Sequence, residues 1–366
     1  MGDIHAARLG RLRARMAEAG IAALYSTHPY NRRYLTGYTG EDHLPNESAG
    51  AVFVTADAAY LHVGRLNAAQ ARAEAPDYAI VDYFLRADGP KQIGELAQAH
   101  DITRLGFEED SILFATHKML VETLPGVALV PVGKLVTGLR DVKDAAEIEA
   151  LRRAQTVTVA AFVAVSGRIV AGMTERHVAW ELEKAMRDAG GEGLAFPTIV
   201  GAGRNGARPH HGASDDAIRE GEPIVIDMGA MVGGYCGDLT RTVVVGEPDE
   251  TFRRVYDVVL RAKRHVEEVA RPGIKGHDLD AAARDVIAEA GYGDQFIHTL
   301  GHGVGLQVHE GPGARVNGED VFAPGMTLTV EPGVYLEEWG GVRIEDMVVF
   351  TEGGVEILVP APILEV

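Results

Sequence analysis

The most constraining stretch of the chain is VIDMGAMVGGYCGDLTRTVVV, residues 225–245. Two apolar runs meet at Gly233-Gly234, and each carries an aspartate, Asp227 and Asp238, in its middle. Apolar runs bounded by glycines read as a β-hairpin. A turn centred between residues 232 and 233 sets Asp227 opposite Asp238, with Cβ atoms about 5 Å apart. Two like charges that close in an apolar setting cost several kcal/mol unless something neutralises them. Either a side chain reaches solvent at the hairpin tip, or a cation sits between the two. Asp227 follows Ile224-Val225-Ile226 directly, which favours burial.

Further donors lie downstream. HTLGHGVGLQVHEGPG holds His298, His302 and His309 among glycines, which let a backbone approach an ion or a substrate. TLTVEPGVY places Glu331 at the end of an apolar strand, before Pro332-Gly333. GGVRIEDMVVF places Glu345 in another, with Arg343 on its face and Asp346 on the opposite one. Singly, each has an ordinary structural reading as a hydrogen-bonded core histidine or a turn carboxylate. Together they change the reading. Asp227, Asp238, Glu331 and Glu345 carry four negative charges, which two divalent cations would balance. Two cations about 3.5–4 Å apart need bridging carboxylates and can hold one hydroxide between them. An oxygen-rich donor set with one imidazole suits Mn²⁺, Co²⁺ or Fe²⁺ better than a structural zinc. Cys236, on the face of Asp238, reads as a packed core thiol.

The chain has 366 residues, 46% apolar and 24% charged, which allows two globular domains. Its single cysteine excludes an internal disulfide framework. A formal charge of −18 without a Lys/Arg block argues against nucleic acid as a partner. No apolar run approaches the roughly 20 residues that span a bilayer, so no membrane is expected. The Arg-rich start, residues 1–20, reads as a surface helix ending at Gly20, because it lacks the apolar centre of a targeting peptide. We read a cytoplasmic protein.

Six β-like runs (22–27, 51–55, 58–63, 79–84, 104–109, 128–132) alternate with helical stretches at 89–100 and 111–124, predicting an α/β domain over 1–140. Asp144 and Glu147 are spaced as a capping box for a helix running to about 166. Helices at 174–190, 247–270 and 275–291 follow, with strands at 223–229, 235–245, 326–335 and 342–350. That predicts an α+β domain over 141–366.

The ordered set D…D…H…E…E, carried by IVIDMGA, DLTRTVVVG, GHGVGLQVHE, TVEPGVY and GVRIED, resembles the metal-dependent pita-bread peptidases. Within them it is most similar to the Xaa-Pro peptidases, prolidase and aminopeptidase P. FPTIVGAGRNGARPHHGASDD adds the family's substrate-side segment, and YNRRYLTGYTG resembles the creatinase-type N-terminal domain. The resemblance implies hydrolysis of the Xaa-Pro bond of dipeptides or peptide N-termini by a hydroxide bridging two divalent ions, Mn²⁺ or Co²⁺ first, Zn²⁺ or Fe²⁺ as alternatives. It implies that Asp227 chelates the first ion, that Asp238 and Glu345 bridge both, and that His302 and Glu331 complete the second. Glu331 would also shuttle the proton. His210 and His309 would steady the substrate and the oxyanion, and Arg343 would orient the bridging carboxylate. His211 ranks below His210, and His298 stands outside the ligand set. A homodimer is implied.

The creatinase branch lacks the metal ligands, and methionine aminopeptidases lack the large N-terminal domain. Prolidases usually place a basic residue soon after the second histidine, where this chain reads HEGPGAR, with Arg315 the nearest candidate. The loop at 40–48 departs from the family pattern and reads as a surface loop. Two rival readings remain: a pita-bread enzyme acting on a non-peptide small molecule, and a non-catalytic peptide-binding module.

Overall fold

The computed structural model describes residues 2–364 except 45 and 87, and residues 2 and 3 by their backbone only. Position 45 of the 40–48 loop therefore lies outside the described residues. The chain divides into two compact units, Met1–Arg140 and Asp141–Val366.

In the first unit, α1 (Gly2–Glu18), β1 (Ala23–Ser26), α2 (Pro29–Thr36), β2 (Ala51–Thr55), β3 (Ala59–Gly64), α3 (Ala68–Glu74), β4 (Ala79–Tyr83), α4 (Asp88–Ala99), β5 (Arg104–Phe107), α5 (Phe114–Thr123), β6 (Ala128–Pro131) and α6 (Thr137–Arg140) follow one another. The six strands form one mixed sheet in the order β4-β3-β2-β1-β5-β6. All six anticipated strands are present. β1 and β2 are buried along their whole length, as a strand covered on both faces must be. Helices α2 and α3 were not anticipated, because their sequences lack an apolar stripe. Yet α2 carries the punctuation of a helix, with Pro29 in its first turn and Gly37 in a left-handed conformation at its end (φ +77°). Asp42, in the 40–48 loop, pairs with buried Arg32 at 2.9 Å.

The second unit opens with α7 (Ala145–Ser166) and α8 (Glu175–Asp188). The anticipated capping box is present, with the Asp144 side chain accepting from Glu147 N and the Glu147 side chain from Asp144 N. There follow β7 (Gly193–Leu194), β8 (Ile199–Ala202), β9 (Pro223–Met228), β10 (Ala230–Val232), β11 (Tyr235–Cys236) and β12 (Leu239–Val244). Then come α9 (Glu250–Val269), α10 (Gly276–Glu289), β13 (Gly301–Gly303), β14 (Glu310–Ala314), β15 (Thr327–Val330), β16 (Gly333–Leu336), β17 (Gly340–Arg343), β18 (Asp346–Thr351) and β19 (Gly354–Ile357). Twice, therefore, a helix pair is followed by antiparallel strands. α7 and α8 bury their apolar faces on β8, β9 and β12. α9 and α10 do the same on β15, β17 and β18. On α9, Phe252, Val255, Tyr256, Val259, Ala262 and Val266 are fully buried, the spacing of one helix face. Each large apolar side chain so buried contributes about 1.5–3 kcal/mol.

The hairpin differs from its expected register. Val232 pairs with Tyr235 and Asp227 with Thr240, so the turn is Gly233-Gly234 itself. Both glycines have positive φ, +61° and +80°, as a two-residue turn of matching twist requires. Asp238 falls in the break between β11 and β12. It is a diagonal neighbour of Asp227, not its opposite partner. The long strands expected at 326–335 and 342–350 are also broken, at Glu331-Pro332 and at Ile344-Glu345. Proline offers no N–H to a ladder, and the Glu345 N–H leaves its own sheet to donate to Thr240 O at 3.0 Å.

Behind the hairpin, on the face opposite Thr240, Arg241 Nη2 meets Asp346 Oδ1 at 2.7 Å and Lys263 Nζ meets Asp346 Oδ2 at 2.5 Å. All three are essentially inaccessible. This network ties β12, β18 and α9 together, and Arg241 also donates to the Glu345 carbonyl. Removing Asp346 leaves two buried cations short of a carboxylate, with Lys263 keeping Glu267 and Arg241 keeping only backbone carbonyls. Asp346→Ala is expected to lower the unfolding free energy by about 3–5 kcal/mol in urea titration; a change under about 1 kcal/mol would mean the network is not a structural tie.

Candidate metal centre

The breaks in the strands are where the acidic side chains sit. Asp227 comes from β9, Asp238 from the β11–β12 break, Glu331 from the end of β15 and Glu345 from the β17–β18 break. Each half of the unit thus supplies two carboxylates. Oxygens of Asp227, Asp238 and Glu345 lie within 4.8 Å of one another. His302, on β13, places Nε2 3.3 Å from Glu331 Oε1 and 3.8 Å from Asp238 Oδ2. All five anticipated ligands therefore converge.

Neighbouring groups aim them. The Thr240 hydroxyl donates to Glu345 Oε2 at 2.7 Å, and the Thr329 hydroxyl to Glu331 Oε1 at 3.0 Å. Gln155, buried on α7, grips Asp238 by its backbone, donating to its carbonyl at 2.8 Å and accepting from its N–H at 2.9 Å. Asp280 and Arg284, one turn apart on α10, hold the segment before His302. Asp280 accepts from Leu300 N at 2.9 Å, and Arg284 donates to the carbonyls of Phe296 and His298 at 2.8 and 2.9 Å. The sequence reading singled out none of these as site residues. The available signal was a polar side chain on an otherwise apolar face, as with Gln155 beside Leu151 and Thr158.

Arg343 acts on a different carboxylate from the one expected. Its Nη2 donates to Asp227 Oδ2 at 2.8 Å, while Nη1 donates to Tyr335 OH at 2.8 Å and Nε to Thr240 Oγ1 at 3.1 Å. It reaches Glu345 only through the threonine hydroxyl. The reason is register: Arg343 lies at the end of β17, which packs on β9, the strand of Asp227. Tyr335 OH in turn contacts His298 Nε2 at 2.9 Å. Burial holds the His298 imidazole well down, at about 4.

The electrostatics call for a cation. Burial first, and then the neighbouring carboxylates, push Asp238 and Glu345 well above the ordinary carboxylate range. Glu331 is raised to about 7, chiefly by burial. Burial lowers His302. Its Nδ1 faces Gly303 O at 3.1 Å, and a carbonyl can only accept, so in the neutral ring Nε2 turns a lone pair toward Glu331 and Asp238. Among the described residues, Asp227 Oδ1 is buried with no hydrogen-bond partner. A lone pair facing carboxylates and an orphaned carboxylate oxygen are what divalent cations would satisfy, so the residues fit a two-metal centre.

A cavity of about 770 Å³ opens over this cluster. Phe196, Pro197, Ile199 and Val308 give it an apolar side, and His210 and His309 face it beside the acids. The His309 and His302 rings meet edge to face, with centroids 4.3 Å apart. His211 also lines the cavity, and its Nε2 lies 2.7 Å from Glu175 Oε2. Arg315 is exposed and does not line the cavity. Cys236 is buried near the Leu306 carbonyl.

Two stacked helix-and-sheet halves with an acidic, imidazole-bearing pocket between their strands are the pita-bread architecture of metal-dependent hydrolases. Residues 149–352 match metallopeptidase family M24, and residues 8–142 match the creatinase/prolidase N-terminal domain. The chain is 36% identical over 351 residues to an Xaa-Pro dipeptidase of Pyrococcus furiosus, covering 96% of this chain and 97% of that one. Among solved structures it resembles an Xaa-Pro dipeptidase from Bacillus anthracis (TM-score 0.92, 34% identity, 98% and 99% of the two chains). It also resembles an X-Pro aminopeptidase from Thermotoga maritima (TM-score 0.89, 34% identity, 97% and 98%). The chain belongs to metallopeptidase family M24.

The raised carboxylates set a pH dependence. A group whose folded pKa lies above its unfolded value adds stability below the unfolded value and loses it as pH rises through the folded one. For Glu331 that window runs from 4.5 to about 7. Metal-free protein should therefore lose melting temperature from pH 5 to pH 8. Asp238→Asn, which removes one crowded charge, should raise the metal-free melting temperature at pH 8 by about 3 °C or more. A flat profile, or a lower melting temperature in the variant, would contradict the crowding of charge described above.

Proposed function

We propose that the protein is a dinuclear metallopeptidase that hydrolyses Xaa-Pro bonds of dipeptides or peptide N-termini. The observation that carries this is the convergence of Asp227, Asp238, His302, Glu331 and Glu345 with an unpartnered oxygen on Asp227. The names of the relatives support the Xaa-Pro preference.

In this reading Asp227 would hold one ion, Asp238 and Glu345 would serve both, and His302 and Glu331 would hold the other. Two divalent cations, Mn²⁺ or Co²⁺ in preference, would supply an acidified water and polarise the scissile carbonyl. The remaining work falls to side chains. The Thr329 hydroxyl occupies Glu331 Oε1, which leaves Oε2 to take the proton of the attacking water. The same carboxyl would return that proton to the proline nitrogen as the bond breaks. His210 and His309 donate to the carbonyl oxygen as it gains charge. Arg343 fixes Asp227 in one rotamer. The imide nitrogen of proline carries no N–H, so the wall of Phe196, Pro197, Ile199 and Val308 can take the ring without leaving a donor unsatisfied. A cytoplasmic homodimer completes the proposal, on the single cysteine and the family resemblance.

Protein loaded with Mn²⁺ or Co²⁺ is expected to cleave the Xaa-Pro bond of Ala-Pro or Ala-Pro-Ala, with chelator abolishing turnover. Full metal loading without turnover on either substrate would defeat the proposal. Asp238→Ala should reduce kcat/KM by at least about a hundredfold and lower the bound metal. Undiminished metal stoichiometry in that variant would remove Asp238 from its bridging role.

A further inference from the structure

Glu175 is the first residue of α8, and its carboxylate is fully inaccessible. Five donors converge on it. Oε1 accepts from Ala202 N at 2.8 Å and Asn205 Nδ2 at 2.9 Å. Oε2 accepts from Ser214 N at 2.9 Å and the Ser214 hydroxyl at 2.7 Å, and meets His211 Nε2 at 2.7 Å. Burial alone would raise its pKa, but these hydrogen bonds outweigh it and hold the group below the ordinary value. All five donors come from one segment, 202–214, and the same segment brings Pro209, His210, His211, Gly212 and Ala213 to the cavity wall. Among the described residues the exposed ring of His210 makes no hydrogen bond, so the backbone that carries it sets its position.

We propose that Glu175 is a positioning residue, gathering the 202–214 segment so that the neighbouring His211 is anchored and His210 is held over the carboxylate cluster. The proposal rests on the role given to His210 under the proposed function. The geometry is that of a clamp. A single acceptor group takes donors from both ends of a segment that has no strand between residues 203 and 222. The two halves of the substrate-side sequence are thereby tied to a rigid helix end, where the helix dipole also favours a negative charge.

The test is a double-mutant cycle on metal-loaded protein with Ala-Pro and Ala-Pro-Ala as substrates. Glu175→Gln preserves shape but turns a donor toward donors. It should lower kcat/KM about tenfold to a hundredfold, with bound metal unchanged. In a His210→Ala background the same change should cost less than about threefold, because the group it positions is already gone. Equal losses in both backgrounds, or loss of metal, would overturn the proposal. If Glu175→Gln does not fold, His211→Ala with Ser214→Ala removes two of the five donors and is read through the same cycle. Wild-type kcat/KM in Glu175→Gln with an impaired His210→Ala defeats this inference alone. Wild-type kcat/KM in His210→Ala removes the role of His210, and this inference falls with it.

Discussion

The structure of the second unit turns on the repulsion among four carboxylates brought into one pocket. Among the described residues, the cation that pairs with one of them is Arg343, and it is committed to Asp227. The raised pKa values of Asp238, Glu331 and Glu345 express the cost of that arrangement in the metal-free protein. A fold that gathers such charge must be held together by interactions elsewhere. Bound divalent cations would offset that cost, which is the usual relation between a catalytic centre and the scaffold that carries it.

The scaffold has the features this requires. Two halves of similar build each bury a helix pair against antiparallel strands, with separate apolar clusters. Behind the strands, the Arg241–Asp346–Lys263 network fixes β12, β18 and α9 and reaches the pocket only through the backbone carbonyl of Glu345. On the pocket side, Thr240, Thr329 and Gln155 hold the acids by hydrogen bonds that leave carboxylate oxygens free to face the centre. Asp280 with Arg284, and Glu175 from α8, tie down the irregular segments that bring the histidines. Rigid helices thus anchor the parts of the chain with the least regular structure.

Much of this was legible in the sequence. The six strands of the first unit stood out because their apolar runs are short and separated. The long helices of the second unit stood out by cap and periodicity, as at Asp144 and Glu147. The four carboxylates were legible because each is an acid in an apolar run, whereas His302 was separated from His298 and His309 by the family resemblance. The register of the hairpin was not. Index arithmetic alone allows several turns, and only the left-handed backbone at both Gly233 and Gly234 selects the one that makes Asp238 a diagonal neighbour. The partner of Arg343 was not legible either, because β17 meets β9 across a gap of more than a hundred residues.

The sequence by itself determined which residues are acidic, where apolar runs start and stop, and hence the kinds of elements and the donor set. These are local properties, written in side-chain type and spacing. Tertiary structure alone decided which acid faces which, that Glu331 and Glu345 sit at strand breaks, that His211 turns to Glu175 while His210 faces the cavity, and that Asp227 keeps one oxygen without a partner. Those outcomes depend on strand register and on contacts between distant segments, which no local pattern encodes.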